Sequence, residues 1–166
     1  MKTLFVLATA TIALVAYLGL SSSSSFAISV PPSNEYTAHF CQTHESGIEY
    51  GWSRLYNTSG TKDVTVQCPI LNTYSGRIGW LEAKVIDRSY DRDISCTVKN
   101  MLMNEYLGTG WWETQSSTGS GDFVQTLTFG SIGGTGTYHF FTMNCTVPRA
   151  YNGYWSWLQG YRVFEN

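Results

Sequence analysis

The sequence predicts an all-β fold: an antiparallel β-sandwich, jelly-roll or immunoglobulin-like, with about nine strands and disulfide staples. Three observations predict it. No window of the 166 residues sustains a 3.6-residue apolar period, so helices are expected to be minor or absent. β-Branched and aromatic residues recur instead in short runs separated by Gly, Ser, Asn and Asp clusters, as in sandwiches and barrels. Four cysteines, Cys41, Cys68, Cys96 and Cys145, all follow an apolar N-terminus that reads as an export signal, and an oxidising compartment favours bridges over free thiols.

The first element is that N-terminus. Lys2 precedes an apolar run from Leu4 to Leu20, then come serines and Ser25-Phe26-Ala27, with small residues at the −3 and −1 positions. Residues 1–27 read as a cleaved secretory signal, with an uncleaved anchor as the alternative. Residues 28–166 are then a single β-sandwich domain, large enough for a true core. No later run is long and apolar enough to cross a bilayer, so no membrane contact is expected after cleavage, and the product is expected to be secreted or periplasmic. The net charge of −2 is too small and dispersed to imply a nucleic-acid partner.

Strands are expected near Glu35–Cys41, Ile48–Tyr56, Asp63–Pro69, Ile78–Asp87, Ile94–Met103, Trp111–Ser117, Val124–Phe129, Thr137–Val147 and Tyr154–Phe164. In the third, Val64, Val66, Cys68 and Ile70 alternate with Thr65 and Gln67, which turns Cys68 inward. The same alternation places Cys96 with Ile94 and Val98, and Cys145 with Phe141, Met143 and Val147. Between strands, NTSGTKD, RSYDRD, SSTGSGD and GSIGGTG carry the residues that tolerate turns. Four cysteines allow three connectivities. Pairing neighbours within each half, Cys41 with Cys68 and Cys96 with Cys145, is favoured, and the other two remain open.

The segments LYNTSGTKDVTVQCPI, WLEAKVIDRSYDRDISCTV, YHFFTMNCTVP and YRVFEN carry a strand ending in Cys-Pro, an Asp-ended strand before a Cys strand, a Cys-x-Val-Pro and a closing Tyr-Arg-Val-x-Glu. This pattern resembles that of small exported bacterial proteins of uncharacterised function. The resemblance implies a bacterial exported β domain, and it assigns no site residue.

Several chemistries can be weighed on the residues. In HFCQTHE, His39, Cys41 and His44 could contribute to a zinc site, but a bridged Cys41 is no ligand. His139, in register with Phe141 and Met143, reads as a packed strand residue. No G-x-S-x-G elbow and no cysteine free to pair with histidine is present. GSIGGTG lacks the lysine of a phosphate loop and leads into a strand, so it reads as a hairpin loop. Glu35, Glu45, Glu49, Glu82, Glu105, Glu113 and Glu165 could join an aspartate in a hydrolytic pair, but no local motif supports one. No catalytic residue, metal or cofactor is therefore assigned. Asp87, Asp91 and Asp93 partly match calcium-loop spacing, yet Arg92 stands where that loop needs glycine and Val98 where it needs glutamate. RSYDRD is expected to be a salt-bridged turn that delivers Cys96 to the core. Asn57-Thr58-Ser59 and Asn144-Cys145-Thr146 are glycosylation sequons, meaningful only in a eukaryotic host.

The aromatic residues point furthest. Six tryptophans is many for one small domain. A packed core is expected to take most of them, but not to enclose all the rings, so a surface aromatic patch should remain. Trp111 and Trp112 must face opposite sides of a strand; Trp155 and Trp157, at i and i+2, share one, with Tyr151 and Tyr161 nearby in sequence. Trp112, Trp155 and Trp157 are the predicted ligand contacts. The expected function is a non-catalytic binding module for carbohydrate or a surface ligand, the partner being polysaccharide. An envelope or extracellular assembly component, partnered by another envelope protein, is the alternative, and a secreted hydrolase ranks third.

Overall fold

A computed structural model describes residues 33–71, 78–102, 112–132 and 139–165, with the backbone alone at 102, 139 and 140. The expected signal, Trp111, Glu105, the second half of GSIGGTG and the His139 side chain lie outside that description.

Ten strands form: β1 (Ser33–Thr37), β2 (Ile48–Gly51), β3 (Arg54–Asn57), β4 (Val64–Ile70), β5 (Ile78–Ile86), β6 (Ser95–Leu102), β7 (Trp112–Ser116), β8 (Gln125–Phe129), β9 (His139–Val147) and β10 (Trp157–Glu165). Among the described residues one 3-10 turn, Ala38–Phe40, forms, just after β1. The nine expected strands become ten because Ile48–Tyr56 folds back on itself at Trp52 and Ser53. Its halves then pair, with Gly51 opposite Arg54. Likewise the expected Glu35–Cys41 strand stops at Thr37, where the backbone tightens into the turn.

One sheet runs β2-β3-β10-β5-β8 with β1 also on β10, and the other runs β4-β9-β6-β7. The antiparallel partners nest: β3 with β10, β4 with β9, β5 with β8, and β6 with β7. A long hairpin wound over itself in this way is a jelly roll, which resolves the choice against the immunoglobulin-like alternative.

Period-two alternation fills the space between the sheets. Leu55, Leu81, Ala83, Val85, Leu127, Phe129, Leu158 and Val163 come from the first sheet, and Val64, Val66, Cys68, Val98, Met143, Cys145 and Val147 from the second. Tyr161 also turns inward; its ring stacks on Tyr36 at 5.0 Å and its hydroxyl donates to the Pro69 carbonyl on the other sheet. Burial pushes that phenol well above its ordinary pKa.

Cys41 bonds Cys68, and Cys96 bonds Cys145. The second bridge joins directly opposed residues of β6 and β9. The first ties the segment after β1, in one sheet, to β4 in the other. All four sulfurs belong to the buried core.

None of the five described tryptophans is buried in that core: Trp52, Trp112 and Trp155 are exposed, and Trp80 and Trp157 are half-buried. The expectation that packing would absorb most of them is corrected here. The inward registers are taken by aliphatic residues, cystines, Met143, Phe129, Phe141 and Tyr161, so the indoles fall on outward positions and loops.

The last fold detail concerns β1. A Cβ on Gly160 would run into the Tyr36 carbonyl oxygen and press on Thr37 Cα, so β1 can lie against β10 only because this position lacks a side chain. Gly160→Ala is expected to cost about 1–3 kcal/mol and to detach β1 first. Accelerated amide exchange confined to residues 33–37 would be the reading; unchanged protection there would refute it.

Candidate functional site

The β3–β10 pairing sets Tyr56 directly opposite Trp157. Their sequence neighbours Leu55 and Leu158 point into the core, so Tyr56 and Trp157 stand on the outer face of the six-stranded sheet. Trp155, just ahead of β10, lies flat on Tyr56 with ring centres 5.1 Å apart and planes at 16°. The guanidinium of Arg54 sits 4.2 Å from the Trp157 ring centre and that of Arg88 at 4.6 Å. Together Gly51, Trp52, Arg54, Tyr56, Trp155 and Trp157 line a hollow of about 220 Å³. Its surface is almost wholly apolar.

Trp52 is the outlier. It is fully exposed, and its backbone takes φ +37°, in the left-handed region that bulky residues avoid. This indole is thus held in strained backbone at a hairpin tip, with no packing against the rest of the described chain.

What orients the platform is Asp87, the residue just ahead of the turn RSYDRD. Asp87 is completely buried. Its Oδ1 accepts from the Ser89 N–H and the Ser156 hydroxyl, each at 2.9 Å; its Oδ2 accepts from the Ser117 hydroxyl at 2.5 Å and the Ile94 N–H at 3.2 Å. Ser156 lies between Trp155 and Trp157, so this carboxylate anchors the chain segment that carries both rings. The Ser156 hydroxyl also accepts from the Arg88 N–H at 2.9 Å, fixing the start of the arginine that covers Trp157.

The turn is salt-bridged as expected, but its arginines reach outward rather than to their neighbouring aspartates. Arg88 Nε approaches Asp122 Oδ1 at 2.5 Å without hydrogen-bond alignment, and Arg92 pairs with Asp63. Asp91 takes the Ser89 hydroxyl and Arg149, each at 2.8 Å, and these contacts hold its carboxyl below the ordinary value. Asp87 and Asp91 are thus occupied by the protein's own donors.

The other sequence candidates scatter. Cys41 is bridged, and the exposed His39 packs against Tyr50. The described glutamates each hold a donor of the chain: Glu35 with Arg162, Glu45 with Lys62, Glu49 with the Tyr56 hydroxyl, Glu82 with Lys84, Glu113 with Gln115, and Glu165 with Asn34. Asn57 is buried, its amide donating to Lys62 and Val147 carbonyls, so that sequon offers no accessible nitrogen.

Of the three predicted contacts, the structure brings Trp155 and Trp157 together and sets Trp112 apart, exposed on the four-stranded sheet at β7. Sequence reasoning missed Trp52, Arg54 and Tyr56. The signal available was Gly51-Trp52-Ser53, a turn-prone triplet around a tryptophan inside an expected strand. Larger hollows, about 410 Å³ beside Lys84 and Arg162 and about 500 Å³ across Gln67 and Asn144, carry a larger share of polar surface and present no pair of exposed rings.

No protein-family model and no curated protein sequence matches the chain. Among solved structures, a family 6 carbohydrate-binding module superposes with a TM-score of 0.50 at 12% identity, over 82% of this chain and 95% of that one. The CBM36-1 domain of a multidomain xylanase from the hindgut metagenome of Trinervitermes trinervoides aligns at 0.48 and 13%, over 81% and 98%. The CBM22-1 xylan-binding domain of Paenibacillus barcinonensis Xyn10C aligns at 0.47 and 11%, over 81% and 94%. At 12% identity the likeness to the family 6 module is one of fold, a β-sandwich.

Proposed function

We propose that this chain is an exported, non-catalytic module that binds carbohydrate through the outer face of its six-stranded sheet. The observation that carries the reading is the platform itself: Tyr56 and Trp155 stacked nearly parallel beside Trp157, with Trp52 projecting in strained backbone. Flat rings of this kind suit the apolar faces of pyranoses, and a scaffold of strands and a buried carboxylate keeps them in place before a ligand arrives. Two further observations support it. The fold is shared with a carbohydrate-binding module, and two buried disulfides suit an oxidising, extracytoplasmic compartment.

The test is affinity electrophoresis in a panel of soluble xylan, β-glucan and galactan, using protein without residues 1–27. Trp155→Ala and Trp157→Ala should each weaken retention more than about tenfold, as truncating a central aromatic anchor does. Trp112→Ala should retain wild-type binding. If Trp112→Ala alone loses binding, the site lies on the other sheet; if the wild type is retained by none of the polymers, the reading fails.

A further inference from the structure

Of the five arginines among the described residues, four close on a carboxylate: Arg88 on Asp122, Arg92 on Asp63, Arg149 on Asp91 and Arg162 on Glu35. Arg54 does not. Its guanidinium stacks on Trp157 at the wall of the aromatic hollow. The carboxylate on the adjoining strand, Glu49, stands opposite Tyr56 and takes that hydroxyl at 3.1 Å instead.

Stacking on an indole satisfies the face of a guanidinium and leaves its edge free. That edge carries a rigid fork of N–H donors matched to a planar carboxylate. The rings on one side and a half-buried cation on the other define a ligand with an apolar face and an anionic substituent. We infer that the site takes an acidic saccharide, its ring on the Tyr56–Trp155–Trp157 platform and its carboxylate held by the Arg54 fork. This rests on the carbohydrate-binding reading and adds to it the charge of the ligand. Trp157 serves both parts, since it lines the hollow and also holds the guanidinium beside it.

The experiment compares a glucuronic-acid-substituted xylan with the same polymer after chemical reduction of its carboxyls, so that only the charge differs. The wild type is expected to bind the acidic form about tenfold more tightly, as one charge-assisted contact allows, and added salt should shrink that preference. Arg54→Gln should bind both forms alike. Arg54→Lys should keep part of the preference, because the charge stays while the fork is lost.

Equal binding of both polymers by the wild type, or an undiminished preference in Arg54→Gln, overturns the inference while leaving the carbohydrate reading intact. Binding only to a neutral member of the panel does the same. Stronger retention by dextran sulfate than by the acidic xylan overturns the carboxylate assignment. Loss of no binding in Trp157→Ala would instead overturn the platform on which both readings stand. If Arg54→Gln fails to fold, the wild-type preference and Arg54→Lys still decide.

Discussion

Asp87→Ala should lower the unfolding free energy by about 3–5 kcal/mol, the range for removing one partner of a buried charged network. The carboxylate is fully buried and receives four donors, two backbone N–H groups and two serine hydroxyls. Deleting it strands the Ser89 N–H and the Ser156 hydroxyl and takes the shorter acceptor from the Ser117 hydroxyl, while the Ile94 N–H keeps the Ser117 oxygen at 2.8 Å; each stranded buried donor is costly in its own right. Ser89 and Ile94 bracket the turn, Ser117 follows β7, and Ser156 precedes β10, so one side chain holds three separate connections. Urea unfolding measures the loss. A change below about 1 kcal/mol would mean that the loops hold themselves. Asp87→Asn separates charge from shape: it keeps the volume but presents an amide N–H group to donors, so it should recover little of the loss. Because Ser156 sits between Trp155 and Trp157, either variant should also weaken ligand binding at temperatures where it remains folded.

Removing the Cys96–Cys145 bridge with a Cys96→Ala/Cys145→Ala pair should cost about 4 kcal/mol, and removing Cys41–Cys68 about 3.5 kcal/mol, on the chain-entropy account in which longer loops gain more. The sequence separations are 49 and 27 residues. The two losses should also differ in place. The Cys96–Cys145 bridge lies within the four-stranded sheet, so its removal loosens β6 and β9 together. The other connects the segment after β1 to β4, so its removal should free the N-terminal strand while the central strands stay protected. Thermal midpoints measured with and without reductant, combined with amide exchange, check both. Equal exchange in β1 for the two variants would contradict the assignment of the Cys41 bridge as the tether between sheets.

Much of the architecture was legible because it is local. Alternation in Val64–Ile70 turned Cys68 inward, and the same period oriented Cys96 and Cys145; each sulfur lies where the pattern put it. Pairing neighbours within each half also matched the bridges, since β6 and β9 run side by side and the 3-10 turn after β1 abuts β4. The Ile48–Tyr56 reading failed at one residue. Trp52 favours strands by propensity, and only the pairing of Gly51 with Arg54 forces it into left-handed backbone.

The candidate site was half legible. Trp155 and Trp157 could be grouped because they are two residues apart, but Trp52, Arg54 and Tyr56 lie about a hundred residues earlier in the chain. Nothing local links the two groups. Asp87 looked like part of a charge cluster, and its role as the anchor beneath the platform depends on Ser117 and Ser156, both distant in sequence.

By itself the sequence determined the all-β class, the inward and outward registers, the positions of most turns and the preferred cysteine pairing, because each follows from side-chain alternation and turn chemistry over fewer than about ten residues. Only the tertiary structure decided the jelly-roll order, the separation of Trp112 from the other two tryptophans, and the union of Tyr56, Arg54 and Trp157 on one face. Those depend on which strands lie side by side, and strand pairing is set by the burial of the whole core rather than by any one segment.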